Sequence, residues 1–312
     1  MKKVLVLGAS GGMGYSIVKE LAQREIDVVA FARGKEKLNK LFQDEEKVTI
    51  KSGDVFDLES LKEAAVGVDT IFQAMNIPYS EWEKKLPVVM NNILETAKHA
   101  NAKLVLVENI YAYGRNPGHL VSEDTPKKPH TKKGNIRLQL EQIVKQSSMP
   151  CLIAHFPDFY GPNATNTILN YTFEGVIKNK KALFVGDKKI AREYIFTPDG
   201  AKALVELALI DSAYGQNWNI PGSGVITGDE IVNILREHTS YSKKVGTVTK
   251  GMVKFLGLFD KNMREVVEML YLTEDPVVLD GGKLEQLIKD IPRTPYQDGV
   301  KQTIDYMLRS LT

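Results

Sequence analysis

Val4-Leu5-Val6-Leu7-Gly8-Ala9-Ser10-Gly11-Gly12-Met13-Gly14 carries four apolar residues straight into a glycine-rich turn. Tyr15-Ser16-Ile17-Val18-Lys19-Glu20-Leu21 follows with its apolar residues at helical spacing. The pattern predicts a buried strand, a tight turn and a helix start. Gly8 suits the turn's unusual dihedrals, Gly11 or Gly12 lets backbone approach a phosphate, and Gly14 lets the helix sit close on the strand. Free N–H groups and the positive dipole end at such a helix start suit a pyrophosphate. A strand before and a helix after separate a dinucleotide-binding turn from an ordinary glycine turn.

Working outward, strands alternate with helices. Asp27 to Ala32, Val48 to Ile50, Thr70 to Met75, Lys103 to Val107 and Cys151 to Phe156 read as strands. Helical segments lie between them: Lys35 to Phe42, Leu58 to Ala65, Glu81 to His99 and Ile136 to Gln146. Strands separated this way pair in parallel, and right-handed crossovers make the result an α/β fold, a Rossmann-type doubly wound parallel sheet. After residue 163 the alternation stops. Ala164 to Lys178 reads as a helix, and Ala182 to Val185 and Trp218 to Ile220 as short strands. Thr197 with Pro198 reads as a capped helix start, and Thr227-Gly228-Asp229-Glu230 as a capping box. The expected organisation is a nucleotide-binding domain over 1–163, rejoined by 190–213, and a smaller, mostly helical substrate domain over 164–189 and 214–312. A cleft between them would hold a small-molecule substrate.

Composition narrows the function classes. The 312 residues carry 41 basic and 39 acidic side chains, so no basic footprint points to nucleic acid. The one cysteine, Cys151, rules out a disulfide framework within the chain and a cysteine-based metal site, which fits a reducing cytoplasm. The five histidines, His99, His119, His130, His155 and His238, lack ligand spacing, and no metal is expected. No apolar run is long enough to span a bilayer, so no membrane partner is expected. The choice of dinucleotide turns on Arg33. In this fold an acidic residue at the end of the second strand takes the ribose of NAD, and a guanidinium there suits a 2′-phosphate instead. NADP is therefore expected over NAD, with Ser10, Lys35 and Lys37 nearby.

Several further motifs carry a family resemblance. Gly53-Asp54-Val55 follows the third strand, Ala74-Met75-Asn76 the fourth, Tyr113-Gly114 the fifth, and Phe159-Tyr160-Gly161-Pro162 the sixth. With the glycine turn and the closing segment Gly281 to Tyr306, they resemble the short-chain dehydrogenase/reductase superfamily in its extended and atypical branches, which include sugar-nucleotide epimerases and dehydratases. The resemblance covers nearly the whole chain. It implies a cofactor set of Gly8, Ser10, Gly11, Gly12, Met13, Gly14, Arg33, Asp54, Val55, Ala74, Met75, Asn76 and Pro157. It also implies a monomer or a homodimer paired through the helices near Glu81–His99 and Ile136–Gln146.

The family's catalytic pattern of serine or threonine with Tyr-x-x-x-Lys is not present. Aligning the motifs puts Asn109 at the serine, Lys133 at the tyrosine and Arg137 at the lysine. The segment from Lys133 to Arg137 resembles the lysine-x-x-x-arginine segment of isoflavone-reductase-like members, in which a lysine is the proposed acid/base. The catalytic candidates are accordingly Lys133, Asn109 and Tyr111, with Tyr113 assigned to packing. Glu108, unusual so close to the site, is expected either to pair with Arg137 or Lys133 as a structural ion pair or to serve as a catalytic base. Asp158, Tyr160 and Arg192 border the cleft and are the substrate candidates, a surface salt bridge being the alternative for Arg192. The resemblance implies hydride transfer between a nicotinamide and a small carbonyl or hydroxyl compound, including nucleotide sugars. The lost triad keeps open a non-catalytic NADP-binding sensor.

Overall fold

The computed structural model describes residues 1–116 and 118–310. The first half runs β1 (Lys3–Leu7), α1 (Gly12–Gln23), β2 (Asp27–Ala32), α2 (Lys35–Phe42), β3 (Val48–Ser52), α3 (Leu58–Ala64), β4 (Thr70–Gln73), α4 (Trp82–Ala100), β5 (Lys103–Asn109), β6 (Leu120–Val121), α5 (Lys132–Gln146) and β7 (Cys151–Phe156). The second half continues β8 (Asp158–Tyr160), α6 (Ile168–Ile177), β9 (Leu183–Val185), β10 (Arg192–Phe196), α7 (Thr197–Leu209), β11 (Asn217–Asn219), β12 (Val225–Ile226), α8 (Gly228–Glu237), β13 (Gly246–Val248), α9 (Lys250–Leu256), α10 (Lys261–Val266), β14 (Val278–Leu279), α11 (Gly282–Leu287) and α12 (Tyr296–Arg309).

The central sheet has seven parallel strands in the order β11-β7-β5-β4-β1-β2-β3. Both faces are covered, so its inner strands are apolar throughout instead of alternating. Val4 and Val6 of β1 point into the core beneath α1, α2 and α7, while Leu5 and Leu7 point into the core beneath α3, α4 and α5. Asn101 ends α4 in the left-handed region at φ 51°, a conformation asparagine tolerates. A third core, containing Phe173, Phe184, Tyr194, Phe196, Leu235 and Val300, unites α6, α8 and α12 around the small β12-β10-β8 sheet.

Three local expectations change. β11 lies on the edge of the central sheet beside β7, with Trp218 opposite Ala154, although the sequence assigned it to the substrate domain. Thr197 does not cap α7: its hydroxyl is buried without a partner among the described residues, and Phe196 occupies the cap position. α5 begins four residues before the expected Ile136, because Thr131 accepts a hydrogen bond from Gly134 N at 3.0 Å. The Thr227–Glu230 capping box is present as expected.

Glu193 fastens β10 to two distant loops by accepting hydrogen bonds from Gly222 N (3.0 Å) and Leu279 N (2.9 Å). Burial pushes its carboxyl up from 4.5 to about 7. The folded state thus holds this proton more tightly than the unfolded chain. The resulting stabilisation is complete below pH 4.5 and is lost as pH rises through about 7. Glu193→Gln removes the titration. Between pH 4.5 and 8.5 the variant should gain roughly 2–3 kcal/mol on the wild type, read from urea unfolding midpoints. A difference that stays flat with pH would contradict the assignment.

Candidate functional site

The glycine turn is held from three sides. Gly8 N and Ala9 N donate to Phe31 O (3.0 and 3.2 Å), tying the turn to β2, and Gly11 N closes it on Gly8 O at 2.9 Å. Gly8 sits at φ +82°, and a Cβ there would lie 2.6 Å from Met75 Cα. A Cβ on Gly14 would lie 2.2 Å from Gly8 O, and one on Gly12 would lie 2.7 Å from Ala164 Cα. Backbone of β1, α1, the β4 loop and the 164–167 loop therefore converges where only glycine fits.

Above this turn opens a cavity of about 490 Å³, at the carboxyl ends of β1, β2 and β4. Ligands of open parallel sheets bind at that edge. Gly8, Ser10, Gly11, Gly12, Met13, Arg33, Asp54, Val55, Ala74, Met75 and Asn76 all line it. Gly14 and Pro157 do not; Gly14 is behind the turn and lets α1 approach. Arg33 is exposed and makes no ion pair among the described residues, and Lys37 lines the same end whereas Lys35 does not. Asp54 accepts Phe56 N at 3.1 Å, shaping the adjacent wall. A bare-backbone cradle at a helix start, with Arg33 and Lys37 at one end and neither in an ion pair among the described residues, fits a dinucleotide's pyrophosphate.

Beyond Asn76 lies a buried polar cluster. Arg137 reaches from α5 to Glu108 Oε1 (3.1 Å) and to Asn76 Oδ1 (3.2 Å), with its guanidinium 4.1 Å from the Trp82 ring centroid. This is the Glu108–Arg137 pair expected from sequence. Tyr111 and Tyr79 share a hydroxyl hydrogen bond of 2.7 Å. Burial raises both phenols, Tyr111 well above its ordinary value, so they stay protonated at neutral pH. One O–H is spent on the other hydroxyl, which leaves a second for a further acceptor. Asn109 Oδ1 accepts Tyr111 N at 3.0 Å and so holds the turn that presents Tyr111.

Lys133 does not lie beside Arg137 in an open site. It is fully buried, with Nζ paired to Glu265 and to Glu268 Oε1 (3.1 Å). Glu268 also accepts Lys132 N (2.7 Å) and Lys133 N (3.1 Å), capping α5 from far along the chain. None of Lys133, Asn109 and Tyr111 lines the 490 Å³ cavity; from Asn76 on its wall, hydrogen bonds run through Arg137 to Glu108, whose Oε2 accepts Asn109 N at 3.3 Å.

The substrate candidates separate. Tyr160 is a core side chain, with its ring centroid 5.7 Å from that of Tyr296 and 5.5 Å from that of Phe196, so its assignment to substrate is corrected. Arg192 is 4% exposed and makes no ion pair among the described residues, which removes the surface salt bridge. It donates to Val185 O at 2.8 Å and lies 4.9 Å from the Phe184 ring centroid, leaving Nη1 without a partner among the described residues. The Tyr194 hydroxyl, also buried, has none either. Asp158 is opposite Tyr194 in the β8–β10 register, and burial raises its carboxyl while Arg192 lowers it. Phe159, next in β8, lines the cavity. Sequence reading missed Tyr79, Tyr194 and the Glu265/Glu268 pair; only the i, i+3 spacing of the two carboxylates was a visible signal.

No curated protein matches the sequence. Among solved structures, dTDP-glucose 4,6-dehydratase from Bacillus anthracis, in complex with NAD, is 18% identical with a TM-score of 0.81, over 99% of this chain and 97% of that one. UDP-glucuronic acid 4-epimerase from Bacillus cereus, in complex with NAD, is 19% identical with a TM-score of 0.79, over 99% and 100%. UDP-glucose 4-epimerase from Thermotoga maritima, with UDP-glucose, is 17% identical with a TM-score of 0.78, over 99% and 100%. These likenesses establish the fold. The model of the NAD(P)H-binding family matches residues 8–181, more than half of the chain and the whole of the glycine cradle, and the protein belongs to that family.

Proposed function

We propose that the chain is an NADP-dependent oxidoreductase of the epimerase/dehydratase kind. Its substrate would be a small carbonyl or hydroxyl compound carrying an anionic group, a nucleotide sugar being the best fit. The observation that carries this reading is Arg192. A buried guanidinium whose Nη1 has no partner among the described residues, lying 5.4 Å from the ring centroid of Tyr194, whose hydroxyl likewise has none, is costly unless an anionic oxygen completes it. When bound, the reduced nicotinamide supplies a hydride to the carbonyl carbon. The glycine turn orients the pyrophosphate, and Arg33 with Lys37 holds a 2′-phosphate. Tyr111, kept protonated by burial, donates its O–H to the carbonyl oxygen, and Asn109 holds that phenol in place. Lys133, tied to Glu265 and Glu268, holds the wall of the cleft and does not carry the proton in this proposal.

A second reading, a non-catalytic NADP sensor, draws support from the ion pairs that occupy Lys133 and Arg137. Following NADPH absorbance with 4-keto sugars linked to UDP or dTDP, and with simple ketones, separates the two. Turnover is expected with the linked sugars, falling about 100-fold or more in Tyr111→Phe. KM should rise about 10- to 100-fold in Arg192→Leu. NADP should raise the melting temperature more than NAD does, and Arg33→Ala should erase that preference, a loss of about 10- to 100-fold in NADP affinity. Tight NADP binding without turnover on any substrate would select the sensor.

A further inference from the structure

We infer that the α9–α10 hairpin is a docking tip for the surface of an anionic lipid bilayer. Thirteen large apolar side chains are exposed among the described residues, and five of them, Met252, Phe255, Leu256, Leu258 and Phe259, fall within residues 252–259. Phe259 is 81% exposed, Leu258 67% and Phe255 63%. In α9 the pattern is the reverse of a core helix: Val253 faces inward, while the larger apolar residues face water. Phe255 and Phe259 meet edge to face at 5.6 Å, so the tip presents a preformed aromatic pair.

The charge around the tip decides the occupant. Residues 250–266, from the start of α9 to the end of α10, contain Lys250, Lys254, Lys261 and Arg264 against Asp260 and Glu265, a net charge of +2 from four minus two, and Glu265 is paired with the buried Lys133. Asp260 is consumed in capping α10, accepting Asn262 N and Met263 N. Lys250 pairs with Glu274, but Lys254 and Lys261 are exposed and make no ion pair among the described residues. Exposed aromatic and leucine side chains ringed by lysine match the boundary between acyl chains and anionic headgroups. A second copy using the same face would set these lysines against their own equivalents, which disfavours self-association. Among the described residues no helix is long and apolar enough to cross a membrane, so the proposed contact is peripheral. The expectation of no membrane partner rested only on the lack of a spanning segment. From the tip the chain continues through α10 to Glu265 and Glu268, the carboxylates that hold Lys133.

The test is co-sedimentation of the full chain with phosphatidylcholine vesicles containing roughly 30% phosphatidylglycerol, against vesicles of phosphatidylcholine alone. Binding is expected to the anionic vesicles, at least about tenfold weaker to the neutral ones, and weakened severalfold by salt near 0.5 M. The Phe255→Ser/Phe259→Ser double variant should lose it at least about tenfold, and Lys254→Glu/Lys261→Glu should do the same. These side chains are exposed, so both variants should keep the wild-type melting temperature and NADP binding; variants that unfold are replaced by Phe255→Gln and Phe259→Gln singly. Absence of vesicle binding, equal binding to neutral vesicles, or undiminished binding by the double variants would overturn the proposal. So would dimerisation lost in the phenylalanine variant without vesicle binding.

Discussion

Gly14→Ala is expected to lower NADP affinity by about 100-fold or more, a loss of roughly 2.7 kcal/mol. The added methyl carbon would sit 2.2 Å from Gly8 O, 2.7 Å from Gly8 C and 3.0 Å from Ala9 Cα. All three are backbone atoms of the turn, and none can swing aside as a side-chain end would. Relief requires α1 to move away from β1, and the N–H groups at its start then leave the positions that grip a pyrophosphate. Gly34→Ala is the control. Its nearest neighbour would be Lys37 Cβ at 3.7 Å, an ordinary contact, and although Gly34 itself lines the cavity, affinity should stay within about twofold. Calorimetric titration of both variants, with unfolding curves to show that each is folded, gives the comparison. Wild-type affinity in Gly14→Ala would refute the assigned role of the turn.

Arg137→Met is expected to cost about 3–5 kcal/mol of stability, because it strands the buried Glu108 carboxylate. The pair is enclosed, with side chains 5% and 3% exposed, so water cannot replace the lost guanidinium. The same change removes the donor to Asn76 and the cation above Trp82. Adding Glu108→Gln to Arg137→Met should restore most of the loss, since the orphaned charge is then gone. Arg137→Lys should fall between, because one ammonium cannot reach Glu108 and Asn76 as a planar fork does. Urea unfolding of the wild type, the two single variants Arg137→Met and Glu108→Gln and their double variant measures this cycle, with Arg137→Lys beside them. A loss below about 1 kcal/mol in the single variant would mean that the pair is wetter than its burial indicates.

The parts legible in the sequence are those governed by neighbours in the chain. Cys151 to Phe156 and Lys35 to Phe42 were read with their observed limits, since an unbroken apolar run and a helical repeat are local signals. Thr227 and Glu230, three residues apart, form the box their spacing announces. Arg33, Asp54 and Asn76 line the cavity because each follows a parallel strand, and strand ends in a doubly wound sheet all arrive at one edge. Where the reading failed, the deciding partner was remote. β11 is only three residues long and acquires its place solely by pairing with β7. Tyr160 looked like a cleft residue until Phe196 and Tyr296 enclosed it.

By itself, then, the order of residues determined the strand–turn–helix cradle, the parallel sheet and the cation at its second strand end, because backbone dihedrals and side-chain period are set within a few positions. Tertiary structure alone decided the electrostatic company of each charged side chain. Lys133 is bound by carboxylates more than a hundred residues away, Arg192 is sealed from solvent with one donor unspent, and five apolar residues of the α9–α10 hairpin are left facing water. Coulomb energy and desolvation depend on distance in space, and chain spacing carries no measure of that.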